Sequence, residues 1–129
     1  MSQERFELAR AQYSRALARL HEALAQNETD LVRDALIQRF EFTYELGWKC
    51  MFYWLRAQKE KVPEVVKLVI QAAFRAELIA DAELWEKIKD CRDETSHTYD
   101  EKKAIEVSAF VRARAAGAFD ALEAKLKTL

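Results

Sequence analysis

Arg92 and His97, with four residues between them in the run CRDETSHTYDE, are the residues whose types could do chemistry. A histidine titrates near pH 6.5, so its ring can take the proton of a ribose 2′-hydroxyl at neutral pH, while an arginine can hold a phosphate and steady charge on a pentacoordinate transition state. Together they read as a metal-independent ribonuclease pair, leaving a 2′,3′-cyclic phosphate and a 5′-hydroxyl. Such cleavage also needs a proton for the leaving oxygen, which a single His97 cannot supply while it acts as base. A second copy of the chain would supply it. Beside this stands a plainer reading, in which Arg92 pairs with a carboxylate of the second helix and His97 closes a helix end.

The spacing constrains the geometry. Five steps along an unbroken α-helix would splay the two side chains roughly 140° apart and about 7.5 Å along the axis. For both to address one substrate, the helix must end between them. Asp93, Thr95 and Ser96 have side chains that compete for backbone hydrogen bonds and favour that ending. Thr98 to Glu101 then read as a capping box with Thr98 as N-cap, so that a new helix starts with His97 at the junction.

Glu41 and Glu45 lie four apart, beside Phe40, Tyr44 and Trp48. They repel each other unless a cation lies between them, and Lys49 and Arg92 are the candidates. One of the two carboxylates is expected to orient Arg92; a solvated face is the alternative. Lys102, Lys103, Arg112 and Arg114 form either a phosphate-contacting patch beside the junction or a solvated face. His21 has no acid or nucleophile spaced to help it and reads as a surface residue. Cys50 and Cys91 lie far apart, with no short metal-ligand spacing, and read as packed thiols in a reducing compartment. The sequence calls for no metal and no cofactor.

The length of 129 residues fits one domain over 1–129, with one core burying roughly two thirds of its unfolded surface. The 21 basic and 22 acidic residues leave a net charge of -1, so contact with RNA must come from a local patch. The longest apolar run, residues 50 to 55, falls far below the roughly 20 residues of a membrane helix. The first ten residues lack the apolar stretch of a signal peptide. A soluble, cytoplasmic protein is the expectation.

Two glycines and one proline leave few helix breakers. Helices are predicted over residues 2–25 and about 30–58, with Leu36, Phe40, Tyr44, Trp48, Met51 and Leu55 on the buried face of the second. A third starts with Pro63 at its first position and stops near Glu77, and a fourth runs from an Asp81 cap into Arg92. The last runs from about Tyr99, with Ile105, Ala109, Ala116, Phe119, Leu122, Leu126 and Leu129 on one stripe that Arg112 interrupts. Short connections give an all-α, up-and-down antiparallel bundle of four principal helices plus the shorter third. Gly47 and Gly117 fall inside helices, either as tolerated residues or where another helix approaches closely.

The run from Arg92 to His97 resembles the HEPN family, and in particular its HepT-like subgroup, which pairs with minimal nucleotidyltransferases. The runs DALIQRFEFTYELGWK (34 to 49) and RAELIADAELWEKIKD (75 to 90) carry the same resemblance. It implies a homodimeric endoribonuclease toxin acting through Arg92 and His97, restrained by a nucleotidyltransferase. His97, Thr98 and Tyr99 match an H-x-Y pattern whose tyrosine, in HepT toxins, receives AMP from that partner. Such a group would compete with RNA phosphate for Arg92. Asp93 departs from the asparagine usual after the motif arginine, and Glu77 stands where relatives often carry glycine. The alternative is a noncatalytic nucleotide- or substrate-binding subunit of the nucleotidyltransferase, using the same pocket.

Overall fold

The computed structural model describes residues 2–96 and 100–129, which form α1 (Ser2–Leu24), α2 (Asp30–Ala57), α3 (Val66–Arg75), α4 (Ala82–Thr95), α5 (Glu101–Phe110), a π-helical turn (Val111–Ala115) and α6 (Ala116–Leu126). The last three run on without interruption as one rod. Cross-contacts fix an up-and-down bundle: Arg5 meets Tyr53 while Arg39 meets Glu22, so α2 runs antiparallel to α1. Arg10 reaches the Leu126 carbonyl and Arg112 the Leu24 carbonyl, so the last rod also runs antiparallel to α1. α4 runs antiparallel to α2 as well, with Trp85 near Gly47 and Thr95 at Glu41.

The buried faces follow from the apolar spacing. Phe6, Tyr13, Leu17 and Leu20 of α1 meet Leu36, Phe40, Met51 and Leu55 of α2 and Phe119, Leu122 and Leu126 of α6 in one core. Trp48, expected in that core, is only partly buried, because its indole N–H turns to Glu45 at 3.2 Å. Burying such a face contributes roughly 1.5–3 kcal/mol per large side chain, which is what holds helices of modest intrinsic propensity in place.

Two helix starts depart from the sequence expectation. Pro63 lies outside α3, whose N-cap is Val65, because the chain turns through Pro63 and Val65 before winding begins. The helix after the junction is capped by Asp100, whose carboxylate accepts from the Lys102 and Lys103 N–H groups; Thr98, the expected cap, lies outside the described residues. An aspartate is as good a cap as threonine, and this one leaves Glu101 as the first helical residue. Glu77 does take the left-handed conformation (φ 61) that closes α3, with the Leu78 N–H donating to the Ala73 carbonyl. A side chain there costs what glycine would not.

The π turn corrects the predicted stripe of the last rod. Ala116, Phe119, Leu122 and Leu126 are buried as expected, but Ile105 and Ala109 are exposed, and Ala104, Val107 and Val111 face inward instead. The Ala116 N–H donates to the Val111 carbonyl five residues back, which inserts an extra residue and shifts everything upstream by one position. Leu129 lies past the helix end and is half exposed. Arg112, the interruption in the sequence stripe, sits in this turn and donates to Glu28 at 3.0 Å.

Glu28 ties the α1–α2 connection to that turn, accepting from Ser108, Arg33 and Arg112. The Ser108 hydroxyl, followed by the two guanidinium groups, holds its carboxyl below the usual glutamate range. A depressed folded pKa stabilises above the unfolded value and ceases to do so as pH falls through the folded one. Glu28→Gln is therefore expected to lose about 1–3 kcal/mol in urea unfolding at pH 7. The gap from wild type should close as the solution is taken below the carboxylate range.

The two glycines behave differently. A Cβ at Gly47 would stand 3.1 Å from Tyr13 Cε1 and 3.4 Å from Trp85 Cη2, whereas one at Gly117 would meet nothing within 4 Å. Gly47 is the close-approach site of the bundle, where α1 and α4 both press on α2. Gly47→Val is expected to cost about 1–3 kcal/mol by overpacking, and Gly117→Ala to gain about 1 kcal/mol of helix propensity, both read from urea midpoints.

Candidate functional site

Arg92 occupies the last turn of α4, where a cation complements the negative end of the helix. Its guanidinium reaches across to α2: Nη1 donates to Glu41 Oε2 at 3.2 Å, and Nε stands 3.7 Å from Glu45 Oε1. Residues four apart on one helix face thus close on a single cation from the neighbouring helix, the arrangement that relieves their mutual repulsion. Lys49 is not the cation that bridges them. The pair is about three-quarters buried on the Arg92 and Glu41 side, so the attraction is only partly screened. Arg92 Nε has no hydrogen-bond partner among the described residues.

Thr95 completes the cluster and was read in the sequence only as a competitor for backbone hydrogen bonds. Its hydroxyl lies 2.7 Å from the Arg92 carbonyl and 2.6 Å from Glu41 Oε2, two acceptors for one proton, and its oxygen accepts from Arg92 Nη1 at 3.3 Å. A threonine three residues after an arginine, at the end of a helix, is the sequence signal for this contact. The helix stops at once: Ser96 is the C-cap, and its hydroxyl donates to the Asp93 carbonyl at 2.7 Å. Winding therefore ends between Arg92 and His97, as the spacing requires. Asp93 pairs with Lys89 at 2.9 Å and makes no ion pair with Arg92, so its carboxylate does not neutralise the guanidinium by direct contact. His97 and Tyr99 lie outside the described residues.

Beside the junction a cleft of about 180 Å³ opens between α2, α4 and α5, lined by Asp34, Gln38, Glu41, Glu94, Asp100 and Lys103 among others. Asp34, Glu41, Glu94 and Asp100 give it four acidic groups against the one cation, Lys103, with Ile37, Ala104 and Val107 as its apolar part. Lys103 is committed to Glu94 at 3.0 Å and Glu106 at 3.4 Å, and Arg112 to Glu28, so two of the four basic residues expected as a phosphate patch are already paired. His21 bonds Asp120 of α6 at 2.6 Å, a tie between rods at the surface. Burial pushes the Cys50 thiol up to about 12 and the Cys91 thiol up to about 11, so neither is a thiolate at neutral pH. Among the described residues, no helix is long and apolar enough to cross a membrane.

Residues 8–128 match the family described as nucleotidyltransferase substrate binding protein like. A protein of Haemophilus influenzae named "Probable ribonuclease HepT" is 37% identical over 90 residues, a stretch that takes in 64% of this chain and 62% of that relative. A crystal structure of a protein from Thermus thermophilus superposes with a TM-score of 0.78 at 32% identity, covering 89% of this chain and 98% of the other. A second structure, of a Haemophilus influenzae protein described as having the fold of a substrate binding domain of a nucleotidyltransferase, gives a TM-score of 0.70 at 26% identity and covers 96% and 98%.

The shared acceptor makes Glu41 and Thr95 a coupled pair. In a double-mutant cycle on unfolding free energy, Glu41→Gln and Thr95→Val are expected to couple by about 0.5–3 kcal/mol, while Glu45→Gln and Thr95→Val add within a few tenths. Additivity in both cycles would remove Thr95 from the cluster.

Proposed function

The chain belongs to the nucleotidyltransferase substrate-binding-like branch of the HEPN family, and from that membership we propose that it is the ribonuclease toxin of a cytoplasmic pair whose other member is a minimal nucleotidyltransferase. The observation that carries this reading is the ending of α4 at Thr95, with Arg92 held by Glu41 one helix away and His97 following just past the stop. The likeness to a relative named as a ribonuclease supports it.

In the proposed reaction His97 takes the proton of the ribose 2′-hydroxyl, and the freed oxygen attacks the adjacent phosphorus. The bond to the 5′-oxygen breaks, leaving a 2′,3′-cyclic phosphate, and His97 of a second copy gives the leaving oxygen its proton. Arg92 stabilises the extra negative charge on the pentacoordinate phosphorus. Glu41, with Thr95, sets the direction of the guanidinium, and Glu45 backs it from the other side. Asp93 and Ser96 act through the helix end, by pairing with Lys89 and by capping, and touch no substrate. Tyr99 is the proposed acceptor of AMP from the nucleotidyltransferase. The added phosphate would compete with RNA for Arg92 and silence the site.

A second reading has its own support. The four carboxylates and Gln38 in the cleft beside Arg92 offer acceptors for sugar hydroxyls and base amines rather than for a phosphate chain, which suits a noncatalytic nucleotide- or substrate-binding subunit. The description of the matching family points the same way. Purified protein freed of its partner separates the two. Cleavage of RNA to cyclic-phosphate ends, lowered about 10²–10⁴-fold by His97→Ala, is the expected result. RNA left intact by dimeric protein that still binds nucleotide would establish the subunit reading instead.

A further inference from the structure

Contact with RNA in a chain of net charge -1 needs a local cationic surface, and at the junction Lys103 and Arg112 are tied up in ion pairs and do not provide an open one. The opposite end of the bundle does. There α1 begins and α2 ends, and a continuous chain of cations and rings crosses the two helices. The Arg5 guanidinium lies 5.9 Å from the Tyr53 ring centre, Tyr53 lies 5.4 Å from Phe52, and the Arg56 guanidinium lies 5.4 Å from Phe52. Arg56 then borders an open hollow of about 510 Å³ that it shares with Lys59, Glu60, Lys61, Val62 and Pro63.

Three features make this a prepared anion surface rather than scattered charge. Cation–π contact with Tyr53 and Phe52 restrains the Arg5 and Arg56 guanidinium groups before any ligand arrives, which lowers the entropy lost on binding. Lys59 sits in the left-handed conformation (φ 66), with the Glu60 N–H donating to the Leu55 carbonyl, so a tight backbone turn sets Lys59 and Lys61 around the hollow. None of Arg5, Arg56, Lys59 or Lys61 pairs with a carboxylate among the described residues, whereas the basic residues at the junction end are largely committed. Glu60 is the one acid in the hollow and makes no ion pair there.

We propose that Arg5, Arg56, Lys59 and Lys61 form a phosphate-tracking surface for single-stranded nucleic acid at the pole of the bundle away from Arg92. The choice of nucleic acid rests on the ribonuclease reading; the anion surface itself does not. Arg56 lies about 22 Å from Glu41 along α2, at 1.5 Å per residue. That is at most roughly six nucleotides, even at the about 3.4 Å spacing of a stacked duplex strand, so one strand can lie on the pole and still reach the junction.

The probe is an oligouridine of about 16 nucleotides, long enough for such a groove, with every ribose 2′-O-methylated so that it cannot be cleaved. Binding is measured against salt for wild type, for the triple variant Arg56→Gln, Lys59→Gln, Lys61→Gln, and for a matched triple elsewhere, Arg15→Gln, Arg19→Gln, Arg75→Gln. Each lost phosphate contact removes about 0.7 from the log–log salt slope, so the pole triple should lower it by about 2 and the matched triple should leave it unchanged. An unchanged slope in the pole triple, an equal fall in both triples, or no binding by wild type overturns the proposal. Poly-glutamate bound as tightly as the oligonucleotide, with the same loss in the pole triple, would also overturn it in favour of an acidic protein surface. Since the probe lacks the reacting hydroxyl, failure here leaves the cleavage reading standing, and failure of cleavage leaves this surface standing.

Discussion

The close approach of three helices at Gly47 is the constraint on which the candidate site depends. With no Cβ on α2 at that point, Tyr13 of α1 and Trp85 of α4 both press against its backbone. Tyr13 is anchored in turn by its hydroxyl, which donates to the Phe119 carbonyl at 2.7 Å, and Trp85 packs 5.5 Å from the Phe119 ring. Antiparallel packing pinned there carries α4 two turns further along, where Arg92 arrives opposite Glu41 and Glu45. A helix–helix distance set by one absent side chain thus becomes the position of a guanidinium, and packing rather than electrostatics brings the charges together.

Attraction then refines what packing has placed. A guanidinium between two carboxylates is held in direction but also held back, since an incoming phosphate must compete with Glu41 and Glu45 for the same N–H groups. The partial exposure of Arg92 leaves room for that exchange. Charge is also divided along the bundle, with acids gathered at the junction and open cations at the far pole. The near-zero net charge of the chain therefore conceals two surfaces of opposite character.

Much of this was legible in the sequence because helical periodicity reports burial directly. Phe6, Tyr13 and Leu17 and Leu36, Phe40 and Met51 face the core as their spacing implies, and the Asp81 cap and the left-handed Glu77 stand where the chain punctuates itself. The pairing of Arg92 with the Glu41 and Glu45 face could be posed from spacing, since two like charges four apart need a cation. What spacing could not carry was phase through the π turn. A stripe counted at α-helical steps assigns Ile105 and Ala109 to the core, and only the Arg112 interruption hints at the extra residue. Thr95 was hidden for another reason: its partner lies 54 positions away, and a hydroxyl leaves no periodic trace.

The central claim is that Arg92 and His97 act on one phosphate where α4 stops. A crystal structure of the protein with a 2′-deoxy dinucleotide, whose phosphodiester cannot cyclise, tests it most directly. The account predicts the phosphate within hydrogen-bond reach of the Arg92 guanidinium and of a His97 ring, with a second copy across the junction. Arg92 still closed on Glu41 and Glu45, with the phosphate bound elsewhere and His97 turned from it, would contradict the account.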